Sequence, residues 1–180
     1  MRPVVTFNMK SGATIKAELY PEIAPNTVYN FISLVKDKFY DGLTFHRVVP
    51  KFIIQGGSPD GSGKGGPGWF IRGEFGHNDF PNKLKHKKGI LSMARTPHPD
   101  SAGSQFFIVT HRSPHLDKYY AAFGKVIEGM DEVELISQLP RDNHDRPLEP
   151  CVIAGVTVDT QGREYPAPEK IFEGFPPDKE

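Results

Sequence analysis

The sequence predicts an all-β domain with two helices, because strand-forming and turn-forming residues alternate along its 180 residues. The composition joins 13 Phe with 18 Gly and 17 Pro, so bulky strand formers are repeatedly interrupted by turn residues. The length suits one domain with a core of its own. About eight strands are predicted, and so many strands leave exposed edges unless the sheet closes. On spacing alone, a closed eight-stranded antiparallel barrel capped by the helices and a sandwich fit equally well.

Short apolar segments rich in β-branched and aromatic residues predict the individual strands. The first two are joined by a turn at Ser11-Gly12, which is typical of an antiparallel hairpin. The predicted strands cover residues 4–8, 14–19, 45–57, 69–71, 89–94, 104–110, 121–127 and 152–158.

Two helices are predicted from apolar residues that recur every three or four positions. The first covers residues 25–37, where Pro25 suits the first turn because its missing N–H is not needed there. The second covers residues 129–137. The apolar stripes consist of Val28, Phe31, Ile32 and Val35 in the first helix and of Met130, Val133 and Ile136 in the second.

The stretch 45–57 is the most unusual of the predicted strands, because Arg47 and Gln55 interrupt an otherwise apolar run. Polar groups in such surroundings are costly unless they meet a partner. The two residues are separated by an even number of positions, so on a regular strand they share a face. We therefore expect both to face a site that uses them.

The neighbouring residues Phe52 and Ile53 would lie on opposite faces of a regular strand. Both can line one pocket only if the strand bends. We expect that bend at Pro50 and Lys51, since proline is not compatible with the middle of a sheet.

Charge and hydropathy exclude several classes of function. The 22 basic residues are balanced by 22 acidic ones, so no nucleic-acid partner is indicated.

We expect no membrane partner, because no run approaches the length of a membrane span and no apolar leader is present. The single Cys151 rules out an internal disulfide and is interpreted as a small packed residue. A cytoplasmic location is the default expectation.

The residues also argue against metal and nucleophilic catalysis. His111 and His115 are four positions apart, but Pro114 between them prevents a shared helix face. No Gly-x-Ser-x-Gly motif occurs, and we expect no metal and no cofactor. What remains is a set of aromatic, aliphatic and amide side chains, which describes a pocket for a peptide or a small apolar ligand.

Four segments resemble the signature motifs of the cyclophilin-type peptidyl-prolyl cis–trans isomerases. They are FHRVVPKFIIQGG at 45–57, GILSMA at 89–94, GSQFFI at 103–108 and AFGKV at 122–126. The resemblance extends from about residue 4 to residue 158. It implies a closed eight-stranded antiparallel barrel with a helix at each end, over a domain of residues 1–158. Residues 159–180 would form a polar, Pro-rich tail that is extended or partly disordered.

The resemblance also implies roles for individual residues. Arg47 matches the catalytic arginine of the family, and Gln55 matches a glutamine that holds the substrate backbone. Ala94 and Arg95 match the edge that pairs with the substrate chain, although many members have Asn in place of Arg95. The remaining matches line the proline pocket: Phe52, Ile53, Gln105, Phe107 and Leu116.

Two positions depart from the animal members and resemble bacterial ones. His115 stands where a tryptophan contacts the inhibitor cyclosporin, and Tyr120 stands where a histidine lines the proline pocket. We therefore expect weakened cyclosporin binding with catalysis retained. The expected partners are proline-containing polypeptides and unfolded protein clients, and the expected state is a monomer.

Two other functions remain open at this point. A proline-peptide binding module with little turnover would use the same pocket. A lipocalin-like barrel for a small ligand is the third possibility, and it requires an interior that Phe and Ile side chains do not fill.

Overall fold

The computed structural model describes residues 1–172, which contain two α-helices and one sheet of eight strands. The strands are β1 (Val4–Met9), β2 (Thr14–Leu19), β3 (Phe45–Val49), β4 (Ile53–Gly56), β5 (Ile90–Met93), β6 (Phe106–Val109), β7 (Ala122–Glu128) and β8 (Ile153–Asp159). The helices are α1 (Pro25–Lys36) and α2 (Met130–Ser137). Within this part of the chain no helix is long and apolar enough to cross a bilayer.

The sheet is antiparallel throughout and follows the order β3-β4-β6-β5-β7-β2-β1-β8. The prediction of a closed barrel is wrong, because the sheet is an open, curled half-barrel. Its edges meet where β3 begins and β8 begins, through the bridge between Thr44 and Val152 and through backbone hydrogen bonds from Phe45 to Cys151 at 3.0 Å and from Ile153 to Leu43 at 2.8 Å. Further along β3, the amide of Val48 donates to the carbonyl of Asp145 at 2.8 Å. The loop before β8 thus occupies the edge that a closed barrel would pair, and it protects that edge.

The stretch 45–57 is a hairpin rather than one bent strand. The chain reverses between β3 and β4, where Lys51 adopts a positive φ of 59°. The reversal lies at the predicted bend, but it places Arg47 directly opposite Gln55 on the neighbouring strand. Residues 69–71 form only isolated bridges instead of the predicted strand. The predicted number of strands agrees with the structure because two differences offset each other. The segment 45–57 forms two strands where one was predicted, and the segment 69–71 forms none.

Aromatic side chains fill the space between the curled sheet and α1. The ring of Phe31 on α1 lies 5.4 Å from Phe106 and 5.2 Å from Phe123, measured between centroids. Phe7 lies 5.6 Å from Phe106, and all four rings are fully buried. An interior filled in this way argues against the lipocalin-like alternative.

A second, smaller cluster packs elsewhere on the sheet and carries the pocket described below. Its buried members are Ile53, Ile90, Phe107, Val109, Leu116 and Ala122, with Phe52, Ala94 and Tyr120 partly buried against them. The curl of the sheet thus separates a structural core from an apolar floor that remains reachable from solvent.

Gly57 holds the end of β4 against the segment that precedes β6. Its φ is +91°, and a Cβ at this position would overlap the carbonyl oxygen of Ser104. The hydroxyl of Ser104 in turn donates to the carbonyl of Gly57 at 2.7 Å. Glycine is required here because only it combines this φ with so close a backbone approach.

The described part of the predicted tail packs back on the domain. Phe70 and Ile171 exchange two backbone hydrogen bonds of 2.9 and 2.8 Å. The side chain of Asn26 at the start of α1 pairs with both backbone groups of Glu169, at 3.0 and 2.8 Å. The described part of the tail is thus attached to the domain at Glu169 and Ile171, while residues 173–180 lie outside the described residues.

Candidate active site

A cavity of about 340 Å³ opens where the β3–β4 hairpin meets β6 and the segment 114–120. Nine of the predicted site residues line it: Arg47, Phe52, Ile53, Gln55, Ala94, Arg95, Phe107, Leu116 and Tyr120. The other two stand beside it. Gln105 contacts Gln55, and the ring of His115 lies 5.5 Å from that of Phe52. Fold and sequence therefore bring the predicted residues together in one place.

A row of hydrogen bonds orients the polar side of the cavity. The guanidinium of Arg47 donates through Nη1 to Oε1 of Gln55 at 3.3 Å. The amide of Gln55 donates to Oε1 of Gln105 at 3.2 Å, and the amide of Gln105 donates to the carbonyl of Gly63 at 3.0 Å. This arrangement follows from pairing, since Gln55 faces Arg47 on β3 and Phe107 on β6. It leaves other guanidinium donors of Arg47 free for a ligand.

The opposite side of the cavity is apolar. Ile53, Phe107 and Leu116 are each no more than 7% exposed and form its floor. The ring of Tyr120 meets that of Phe107 edge to face, with centroids 5.7 Å apart and planes at 82°. A flat apolar ring of a ligand would therefore find an aromatic surface in the same cavity as the Arg47 guanidinium.

Arg95 is held more firmly than its exposed neighbours. Its guanidinium lies 4.7 Å from the ring centroid of Tyr120 and 4.8 Å from that of Phe75. Its Nε donates to the carbonyl of Tyr119 at 3.1 Å. The side chain thus stiffens the wall that carries Tyr120, in addition to the role that the resemblance implies for this edge.

His46 lines the cavity although sequence reasoning did not select it. A register shift between Phe45 and Arg47 turns the ring inward, where it is 6% exposed and its Nδ1 has no partner among the described residues. Burial, together with the positive charges of Arg146 and Arg47, lowers the pKa of His46 to about 4. The imidazole is therefore neutral near pH 7. No local pattern signals such a bulge.

A buried polar network behind the floor was also missed. Nε2 of His86 lies 2.8 Å from the hydroxyl of Ser92, and Nδ1 lies 3.0 Å from the carboxylate of Asp117. Burial lowers the pKa of His86 despite the carboxylate, so the neutral ring donates to Asp117 and accepts from Ser92. The same ring stacks on Phe107 at 6.2 Å.

Ser92, His86 and Asp117 are connected as in a nucleophilic triad, but a substrate cannot reach the serine. Ser92 is fully buried, so no substrate carbonyl could approach its hydroxyl. Its contacts instead fix the ring that supports the floor. Within residues 1–172 no group of three His, Cys, Asp or Glu side chains is placed to hold a metal ion.

A groove of about 590 Å³ continues from the cavity along the glycine-rich segment 63–68. The two spaces share Gln55, Gly63, Ala94 and Arg95 as a common wall. Trp69 stands at the far side, where its indole N–H donates to Asn30 on α1 at 2.9 Å. A ligand longer than one residue could therefore extend from the cavity into the groove.

A curled half-barrel whose cavity combines a guanidinium with an apolar floor, and which continues into a groove, has the space and the functional groups to take a peptide. Residues 4–158 match the model of the family described as cyclophilin type peptidyl-prolyl cis-trans isomerase/CLD. The chain belongs to this family of isomerases, which act on Xaa-Pro bonds.

Individual relatives agree with this assignment. The chain is 50% identical to peptidyl-prolyl cis-trans isomerase B of Bacillus subtilis, over 69% of this chain and 84% of that protein. A crystal structure of a cyclophilin type isomerase from Cryptosporidium parvum matches with a TM-score of 0.81 and 33% identity, covering 88% of this chain and 98% of that one. A second structure of that protein, in the presence of the dipeptide Ala-Pro, matches with a TM-score of 0.79 and 34% identity, covering 87% and 98%.

Proposed function

We propose that the cavity is the active site of proline isomerisation and that Arg47 is its catalytic residue. The observation that carries this proposal is the placement of the Arg47 guanidinium at a cavity whose floor is apolar and largely buried. The Ala-Pro dipeptide of the related structure supports a proline-containing peptide as the ligand.

The proposed chemistry follows from the bond itself. Rotation about an amide faces a barrier of about 18–20 kcal/mol, because resonance gives the C–N bond double-bond character. When the amide twists, the proline nitrogen regains its lone pair. A donor aimed at that nitrogen stabilises the twisted form alone, which is the condition for catalysis without a covalent step. The guanidinium of Arg47 remains charged and carries several donors, so it can bond Gln55 and the proline nitrogen together.

The remaining residues hold the substrate still while one part of it turns. The floor of Ile53, Phe107 and Leu116 would take the proline ring and exclude water, which strengthens the contribution of Arg47. Gln55 would hold the substrate backbone. Ala94, whose amide already donates to the carbonyl of Gln105 at 3.0 Å, would offer its other backbone group to the substrate chain.

An assay that monitors the cis fraction of a short Ala-Pro peptide over time, with and without the protein, tests this function. We expect the enzyme to remove the slow phase, which without catalysis lasts tens of seconds. A pure binding module would bind the peptide and leave that phase unchanged. The geometry favours turnover, since the donors of Arg47 face the cavity instead of an internal carboxylate.

The buried network behind the floor gives a stability prediction. Replacing His86 with leucine should lower the free energy of unfolding by about 2 kcal/mol, because it leaves the buried Ser92 hydroxyl unpaired and removes one of the two hydrogen bonds to Oδ1 of Asp117, which keeps the backbone amide of residue 86 at 2.7 Å. His86→Gln is the matched control, since its amide can still donate to one partner and accept from the other, and it should retain most of the stability. Urea unfolding of the three proteins measures this, and equal losses for leucine and glutamine would contradict the assigned network.

We also propose that cyclosporin binds with reduced affinity, because His115 offers less apolar surface at the cavity rim than an indole. The variant His115→Trp should bind cyclosporin about tenfold more tightly, since larger buried aromatic area adds on the order of 1 kcal/mol. Titration calorimetry of both proteins compares the dissociation constants. Equal affinities would show that His115 does not limit binding.

Finally, we propose a monomer that acts on unfolded clients in the cytoplasm. The exposed large apolar side chains of the described chain are dispersed along it, at Met1, Tyr119, Ile127, Leu135, Leu148 and Phe172. A single cysteine, whose pKa burial raises to about 11, is compatible with a reducing compartment. Sedimentation and cell fractionation would test the two statements.

A further inference from the structure

The walls of the cavity and the groove carry an unbalanced charge. Four cationic side chains line the two spaces, namely Arg47, Lys64, Arg95 and Arg146, and none of the described lining residues is Asp or Glu. The whole chain has 22 basic and 22 acidic residues, so the imbalance is local. A site of this kind attracts negative charge.

The carboxylates of the surrounding loops are turned toward their own segments. Asp60 accepts from the hydroxyl of Ser62 at 2.7 Å and from its amide at 3.0 Å, and these bonds lower the pKa of Asp60 to about 2. Asp142 accepts the backbone amides of His144 and Arg146 at 2.8 and 3.1 Å. These two acids therefore cap their own loops, and neither of them lines the cavity or the groove.

The guanidinium groups of the walls bond to neutral acceptors. Arg47 donates to the Gln55 amide oxygen, Arg95 to the carbonyl of Tyr119, and Arg146 to the carbonyl of Gly61. No ion pair involves any of the three arginines within the described part of the chain. Among the described residues no carboxylate forms a salt bridge with these three guanidinium groups, while the charge of Asp142 acts on Arg146 and that of Asp60 acts on the neighbouring His46 from longer range.

Arg146 contributes to this surface from a distant part of the sequence. It lies on the loop between α2 and β8, which also carries His144 into the cavity wall. Its bond to Gly61 ties this loop to the turn that precedes the glycine-rich segment, and its guanidinium lines the same cavity as Arg47 and Arg95. His46 between Arg47 and Arg146 adds no charge near pH 7, because its pKa is about 4.

We propose that this isomerase prefers prolines with an anionic side chain within two positions, either a carboxylate or a phosphorylated hydroxyl. The inference rests on the proposed function, because it assigns the proline to the cavity. A single negative charge about 6–8 Å from one or two of these cations, in a solvated site, should improve kcat/KM by roughly three- to tenfold. Phosphate carries a larger charge and should gain more.

A matched peptide series tests the preference. Peptides with a central Ala-Pro would carry Glu, phosphoserine, Gln or Lys at each of the two positions on either side, and kcat/KM would be measured for each. We expect at least one position where phosphoserine and Glu exceed Gln, and Gln exceeds Lys. The Glu-to-Gln ratio should shrink as salt is raised from about 0.05 to about 0.5 M, because screening shortens the reach of exposed charges.

Variants then locate the effect. Arg146→Gln should bring the Glu-to-Gln ratio at the responsive position closer to one. Arg141→Gln is the control, because it removes the same charge from the same loop at a residue that pairs with Asp145 at 3.1 Å and does not line either space. The control should retain the ratio of the unmodified protein.

The results separate this inference from the proposed function. Turnover of the Gln peptides with no preference for Glu or phosphoserine at any position would overturn the inference and leave the function intact. No turnover of any peptide would overturn both. An equal loss of preference in the Arg141 and Arg146 variants would assign the effect to net charge and overturn the role of the cavity walls. A preference for phosphoserine alone would assign the surface to phosphorylated substrates.

Discussion

Replacing Arg47 with alanine should lower kcat/KM for a neutral Ala-Pro peptide by about 10²-fold, which corresponds to about 3 kcal/mol of transition-state stabilisation. The guanidinium is the only described cationic donor that the β3–β4 pairing aligns with both Gln55 and the apolar floor. Its donors would reach the proline nitrogen only in the twisted amide, so the loss should appear mainly in kcat.

Arg47→Lys is the matched variant, because it keeps the charge and removes the planar fork. A single ammonium cannot hold Gln55 and the proline nitrogen in the same geometry, so we expect an intermediate loss of roughly tenfold. Far-ultraviolet circular dichroism and urea unfolding would show whether each variant folds. Turnover of the alanine variant within about threefold of the unmodified protein would exclude Arg47 as the catalytic residue.

Acidification should destabilise the fold through His46 by about 2 kcal/mol between pH 7 and pH 4.5. Its pKa is about 4 in the folded chain and 6.5 in the reference state. As the pH falls below about 6.5, the unfolded chain binds the proton first, and stability declines until the pH reaches about 4. His46 therefore lowers the free energy of unfolding very little near neutral pH, and its destabilising effect is complete only below about pH 4.

The comparison with His46→Gln isolates this effect, since the variant cannot titrate at that position. Urea unfolding at both pH values gives the change in free energy of unfolding for each protein. His86, whose pKa is also lowered, titrates in both and cancels from the difference. We expect the unmodified protein to lose about 2 kcal/mol more than the variant on acidification. Equal losses would show that His46 is protonated in the folded state at little cost.

Local patterns predicted most of the secondary structure. The helix α1 and the strands β1 and β2 agree with the sequence-based ranges within one or two residues. Their signals are contained in neighbouring residues, such as Pro25 at the start of α1. The hairpin β3–β4 was not recognised, although Pro50 interrupts the run, because Lys51 is not a residue that marks a positive φ.

The candidate site was predicted in part for the same reason. Arg47, Gln55 and Phe107 lie in compact motifs that resemble those of a known family, so their roles were predicted from that resemblance. His46 faces the cavity only because of a register shift, and Arg146 reaches it from a loop about 100 positions away in the sequence. The contact between His86 and Asp117 spans 31 positions. A periodic pattern in the sequence cannot predict contacts between residues that are so far apart in the chain.

The sequence by itself determined the β-rich class and the two helices, because each depends on side-chain chemistry within short segments. The residues of the candidate site were predicted from the resemblance of four short motifs to a known family. Only the tertiary structure decided that the sheet stays open, since the loop before β8 bonds to Val48 in place of a strand. It also decided the charge of the cavity walls, because that charge is a sum over Arg47, Arg95 and Arg146 from three separate segments. Contacts between distant segments depend on the packing of the whole chain, which no local pattern contains.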